Sequence, residues 1–189
     1  MNQLPAFISV VFVLTTALSV FLFYRATSKS YIALVVMLGW LALQSIVAST
    51  GFYTVMTLPP RFPLLVGPAL FCIILLFVIP KGRRFLDSLD EKKLILLHIV
   101  RIPVELVLLC LFLNKVVPQE MTFEGRNFDI FSGITAPVVY YFGYVKQKWS
   151  RTILLSWNFL CLGLLINVVV HAIFALPYPF QKIAFNQPN

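Results

Sequence analysis

Acidic side chains are scarce in this chain. Seven Asp and Glu stand against fifteen Lys and Arg, and charged residues make up only 12% of the 189 positions. A soluble domain of this length carries about 25% charged residues, so a large soluble core is excluded. Histidine occurs twice and cysteine three times. Cys72, Cys110 and Cys161 each sit inside an apolar run, and none is spaced to pair with another. They read as small buried hydrophobes and exclude a disulfide scaffold. No H-E-x-x-H metal motif and no glycine-rich phosphate loop occurs. A serine-hydrolase elbow is missing as well. No cofactor and no metal is therefore expected.

Apolar residues fill the space that charge leaves. They make up 60% of the chain, and the mean hydropathy is +0.91. The apolar runs are continuous and not alternating, which favours helices over a β-barrel. The expectation is an all-α membrane protein: a single polytopic domain over 1–189, forming a bundle of six transmembrane helices. The spans fall at about 5–24, 31–56, 63–80, 94–114, 128–145 and 152–176, each near the length needed to cross a bilayer.

The net charge of +8 is a matter of topology. Ten basic residues fall in loops on one side: Arg25, Lys29, Lys81, Arg83, Arg84, Lys92, Lys93, Lys146, Lys148 and Arg151. Four fall on the other: Arg61, Lys115, Arg126 and Lys182. The positive-inside rule then puts the N-terminus outside, in a plasma (inner) membrane. No basic stripe with interleaved aromatics lies beyond the spans, so nucleic acid is not an expected partner. The lipid bilayer is the expected partner, with a small-molecule ligand as a second. The charged run 81–93, KGRRFLDSLDEKK, reads either as a solvated loop or as an interfacial helix with Phe85, Leu86 and Leu89 towards lipid.

The fourth span, Leu94–Asn114, interrupts its apolar run with His98, Arg101 and Glu105. At ~100° per residue the three share an arc of roughly 60°. Ionisable groups at membrane depth are costly, usually partnered and often functional. Arg101 and Glu105 are four residues apart and are expected to pair directly. Pro103 lies between them and deprives the Ile99 carbonyl of its helical donor; Gln44 from the second span is a candidate to reach this pocket. Arg suits a carboxylate or phosphate ligand, and Glu105 or His98 a proton. The fifth span carries Gly133, Pro137 and Gly143, which fits either a kinked helix or a discontinuous one lining a cavity.

Two further groups are candidates. Asn167 and His171 lie one turn apart in the sixth span. An outer-loop cluster comprises Glu120, Glu124, Arg126, Asn127 and Asp129. A haem held by both histidines is excluded by depth. At ~1.5 Å per residue, His98 lies about 8 Å and His171 roughly 28 Å from the inner edge.

The strings HIVRIPVELVL, TFEGRNFDIFSGITAP and PFQKIAFNQPN together resemble a family of bacterial multi-spanning inner-membrane proteins with no assigned activity. The resemblance implies a seven-helix parent, truncated here to six spans. Three functions fit these residues. One is binding or transport of a small anionic or amphipathic ligand through His98, Arg101 and Glu105. Another is a membrane enzyme acting on a lipid-like substrate through Glu105 or the outer acids with His171. The third is a structural or assembly subunit in which the ion pair only fixes helix packing.

Overall fold

The computed structural model describes residues 4–55, 60–61 and 63–185. It is all-helical, with no strand among the described residues. Its helices are α1 (Ala6–Ala26), α2 (Tyr31–Ser49), α3 (Pro63–Val78), α4 (Pro80–Asp87), α5 (Glu91–Leu97), α6 (Arg101–Leu113), α7 (Ile130–Tyr140) and α8 (Arg151–Ala175). Among the described residues, four stretches are long and apolar enough to cross a membrane: α1, α2, the continuous run Glu91–Leu113, and α8. A fifth results if α3 and α4 count as one broken span. The expected third span is shorter because the chain bends by 93° between α3 and α4. Pro80 opens α4 as its first residue, where its missing N–H removes nothing. The expected fifth span is a shorter apolar helix, Ile130–Val145. The second span ends at Ser49 and not at Met56, which lies outside the described residues. Gly51 takes a left-handed conformation with φ 71°, and a short 3-10 turn, Phe52–Thr54, follows.

The chain folds as two compact units, Phe23–Glu91 and the remainder. In the first, α2 buries none of its residues. Ile32 is 79% exposed. Such apolar faces are foreign to a water-soluble monomer and suit hydrocarbon. Polar side chains on these faces satisfy themselves locally. Ser49 Oγ donates to the Ile46 carbonyl at 2.7 Å and Thr50 Oγ1 to Val47 at 2.7 Å. Cys72 is exposed and Cys110 half-buried; only Cys161 is buried as expected.

The second unit holds the core. Ile95, Ala136 and Val139 form it, with Ile99, Leu154 and Trp157 packed around them. Between α5 and α6 the helix tightens into a 3-10 turn over His98–Val100, three residues before Pro103. A 3-10 stretch inside a helix marks local strain of this kind. α7 reaches that turn closely because Gly133 has no side chain. A Cβ there would lie 2.8 Å from Ile102 Cγ1 and 3.1 Å from the His98 carbonyl oxygen. After α7 the backbone widens into a π-helical turn, Tyr141–Val145, so the helix with Pro137 is modified at its end without being broken at Pro137.

Gly133→Ala is expected to destabilise the protein by about 1–3 kcal/mol, as overpacking of a tight core does. Gly143→Ala should be milder, because its Cβ would meet only the Leu154 side chain. Thermal unfolding of the purified protein in detergent checks this, and equal effects would contradict the α7 contact.

Candidate functional site

The site grows from one loop. At the end of α6, Lys115 adopts φ 59°. The Val116 N–H bonds back to the Leu111 carbonyl at 2.9 Å and the Lys115 N–H to Phe112 at 2.8 Å. This is the reversal that caps helix C-termini. It turns the chain into the loop 114–129, which folds on itself. Thr122 is fully buried; its Oγ1 donates to the Gln119 carbonyl at 2.9 Å. Its own carbonyl accepts from Gly125 at 3.0 Å and Asn127 at 3.1 Å. Gly125 is required there, since a Cβ would stand 2.2 Å from the Gln119 oxygen. α8 holds the loop from outside: Asn167 Nδ2 donates to the Arg126 carbonyl at 2.7 Å.

The loop ends by sending Asn127 and Asp129 inward. Asn127, 1% exposed, donates its amide to both Glu105 carboxylate oxygens, at 2.7 and 2.8 Å. The same amide reaches the Met121 carbonyl at 3.0 Å. Its Oδ1 accepts the Asp129 backbone N–H at 3.0 Å, so one side chain orients both acids. Asp129 opens α7, where a negative charge complements the helix dipole. Its Oδ1 accepts from Arg101 Nη1 and, at 3.2 Å, from Ser132 Oγ. Cys161 of α8 lies against Ser132.

The expected direct pair between Arg101 and Glu105 is corrected by this geometry. Arg101 turns across to Asp129 on α7, and Glu105 turns to Asn127. Spacing along one helix permits a pair but does not choose it. A guanidinium with five donors is better served by a carboxylate held at a helix start than by one already engaged twice by an amide. Arg101 and Asp129 keep 18% and 8% side-chain exposure, and Glu105 keeps 2% overall.

The other candidates divide. His98 lies with its ring 4.9 Å from that of Trp157, and its buried Nδ1 has no hydrogen-bond partner among the described residues. Trp157 donates to Thr135 Oγ1 at 3.0 Å, tying α8 to α7. His171 Nδ1 meets the Asn167 carbonyl of its own helix at 2.8 Å, a local contact. Gln44 belongs to the other unit and accepts from Tyr53 Oη at 2.6 Å. Of the outer cluster, Glu124 and Arg126 are exposed and Glu120 is half-buried. Only Asn127 and Asp129 join the buried network. No group of three or more His, Cys, Asp or Glu suited to a metal occurs among the described residues.

Ser132, Thr135 and Trp157 were not legible as partners. Asn127 and Asp129 had a weak signal: they flank Phe128, two residues apart, just before an apolar helix. Glu120 and Glu124 lack that setting.

Asp129→Ala should destabilise the protein by about 3–5 kcal/mol by leaving Arg101 uncompensated. In double-mutant cycles read by unfolding, the coupling of Arg101 with Asp129 should exceed that of Arg101 with Glu105; the reverse order would overturn the network drawn above. Compared with known proteins, the chain matches no family model, no curated protein and no solved structure.

Proposed function

We propose that this chain is a six-span membrane protein that binds or transports a small anionic or amphipathic molecule, with Arg101 as the anion-recognising group. The observation that carries the reading is the cross-helix Arg101–Asp129 pair, set beside a fully enclosed Glu105–Asn127 pair. Arg101 keeps some access, and its counterion stands where a loop joins a helix. A ligand carboxylate or phosphate of matching geometry replaces Asp129 at the guanidinium. Glu105, held by Asn127, stays in place as a fixed neighbour. His98, unpartnered at Nδ1 among the described residues, is the adjacent group able to exchange a proton with what enters.

The test is a thermal-shift screen of the purified protein against monocarboxylates, dicarboxylates and inorganic phosphate. A ligand at about 100 times its dissociation constant adds about 2.7 kcal/mol of stability. Arg101→Ala is expected to abolish the shift while the protein still inserts and elutes as one species. If no anion shifts the wild type, or the variant shifts equally, the reading is lost.

One observation favours a second reading, a structural or assembly subunit. Asn127 bonds to Glu105, Met121 and Asp129 at once, which is how a polar latch fixes packing. Under that reading Arg101→Ala lowers stability and no anion affects either protein. The enzyme reading gains no such support, since the partner of His171 is a carbonyl of its own helix.

The topology belongs to the same proposal: N-terminus outside, in a bacterial plasma (inner) membrane, with membership of the family that the three strings resemble. Single cysteines at Ser88 and Glu124, in a background without the native thiols, should label from opposite sides of intact cells. Labelling from one side would overturn the six-span order.

A further inference from the structure

α3 and α4 meet where the chain has to turn. Proline disfavours the α region for the residue before it, and Ile79 is extended, with φ −81° and ψ 133°. The chain bends by 93° there, and α4 lies across the end of α3. Gly82 makes the approach close: a Cβ would stand 2.5 Å from the Leu76 carbonyl oxygen. At ~100° per residue, Gly82, Phe85 and Leu86 share one side of α4. Gly82 is buried and the other two are half-buried, so this side is set towards α3. Lys81 and Arg83 stand at its two edges, Arg84 and Asp87 on the far side, and all four are exposed.

Arg83 is exposed but anchored. Its Nε donates to the Phe77 carbonyl at 2.6 Å, which brings the guanidinium back to the level of the last turn of α3. Capping a helix end in this way uses one of the five N–H donors that arginine carries. The other four meet no partner among the described residues. Nor does any carboxylate among the described residues pair with Lys81, Arg83 or Arg84. Below the anchored group runs an apolar stripe. Leu70, Ile73, Ile74 and Phe77 are all exposed, and their spacing puts them on one face of α3. A fixed cationic fork therefore borders the end of an apolar helix face, at the residue whose carbonyl holds it.

We infer that Arg83 binds the phosphate of an anionic phospholipid, whose acyl chain runs along Phe77, Ile74 and Leu70. The guanidinium fork matches a phosphate in bidentate geometry. Charge complements it as well: α4 carries Lys81, Arg83 and Arg84 against one acid, Asp87. On the topology proposed above, this end of α3 meets the inner leaflet, whose surface potential is negative. The site needs α3 to lie in a membrane, as that proposal has it, and is separate from Arg101. The bend places α4 at headgroup level, and the bond to Phe77 aims Arg83 at one lipid.

The test uses the full chain in nanodiscs of equal parts phosphatidylglycerol and phosphatidylcholine. The protein is released into mild detergent, and the lipids it retains are counted by native mass spectrometry. Phosphatidylglycerol is expected to be retained over phosphatidylcholine. Arg83→Gln should lower that preference about fivefold, the effect of one basic residue at a charged surface. Arg84→Gln removes the same charge from the far side of α4 and should leave the preference nearly unchanged. Arg83→Lys keeps the charge without the fork and should fall between wild type and Arg83→Gln. A phosphatidylglycerol with a diazirine in its acyl chain should crosslink to residues 70–83 in the wild type, and Arg83→Gln should lose that label while still eluting as one species. Arg101→Ala should leave the preference unchanged. Equal retention of the two lipids, or equal losses in Arg83→Gln and Arg84→Gln, would mean diffuse surface charge and overturn the site alone. A chain that fails to enter nanodiscs would overturn the membrane reading and the site together.

Discussion

A guanidinium held among helices apolar enough to cross a membrane needs a protein group to cancel it, because apolar surroundings offer no water to do it. In this chain the cancelling group is Asp129, which α6 does not carry. Much else is arranged around bringing it to Arg101. The left-handed turn at Lys115 ends α6, the loop closes on Thr122, and Gly125 lets its backbone pass the Gln119 carbonyl. Asn127 then fixes the register by holding Glu105 with its amide and the Asp129 backbone with its oxygen. Gly133 allows α7 to lie against the His98–Ile102 backbone. That approach sets the start of α7, and so Asp129, beside Arg101.

The two units obey the same solvent rule in different ways. Around Arg101 the polar groups are buried and satisfied by one another, which makes them specific and sensitive to the loss of any member. Around α2 the polar groups are few and bond to their own helix or to the turn that follows it, while the apolar faces stay open. The enclosed network holds the loop 114–129 in place.

The helical class and the places of four long apolar helices were legible in the chain itself, as was the presence of Arg101 and Glu105 within an apolar run. Long apolar runs have few solutions in lipid, and a charge within such a run is conspicuous. The partners were not legible. The i, i+4 spacing of Arg101 and Glu105 is a local signal that a long-range one overrode. Nothing in the string GRNFD says that Asn127 faces Glu105, 22 residues earlier. Gln44 looked like a donor to the Arg101 pocket and instead accepts from Tyr53, nine residues away. The third span, expected to end at Pro80, ends at Val78, and what its length did not show is the 93° bend into the charged helix α4.

What the sequence determined alone is the solvent of the fold. Composition and run length demand helices with apolar outer faces, and the scarcity of acids makes each buried carboxylate matter. Only the tertiary structure decided which carboxylate neutralises Arg101 and which is held by an amide. That choice depends on where a loop and a glycine-bearing helix come to rest, and pairing at long range is fixed by packing, which one-dimensional spacing does not encode.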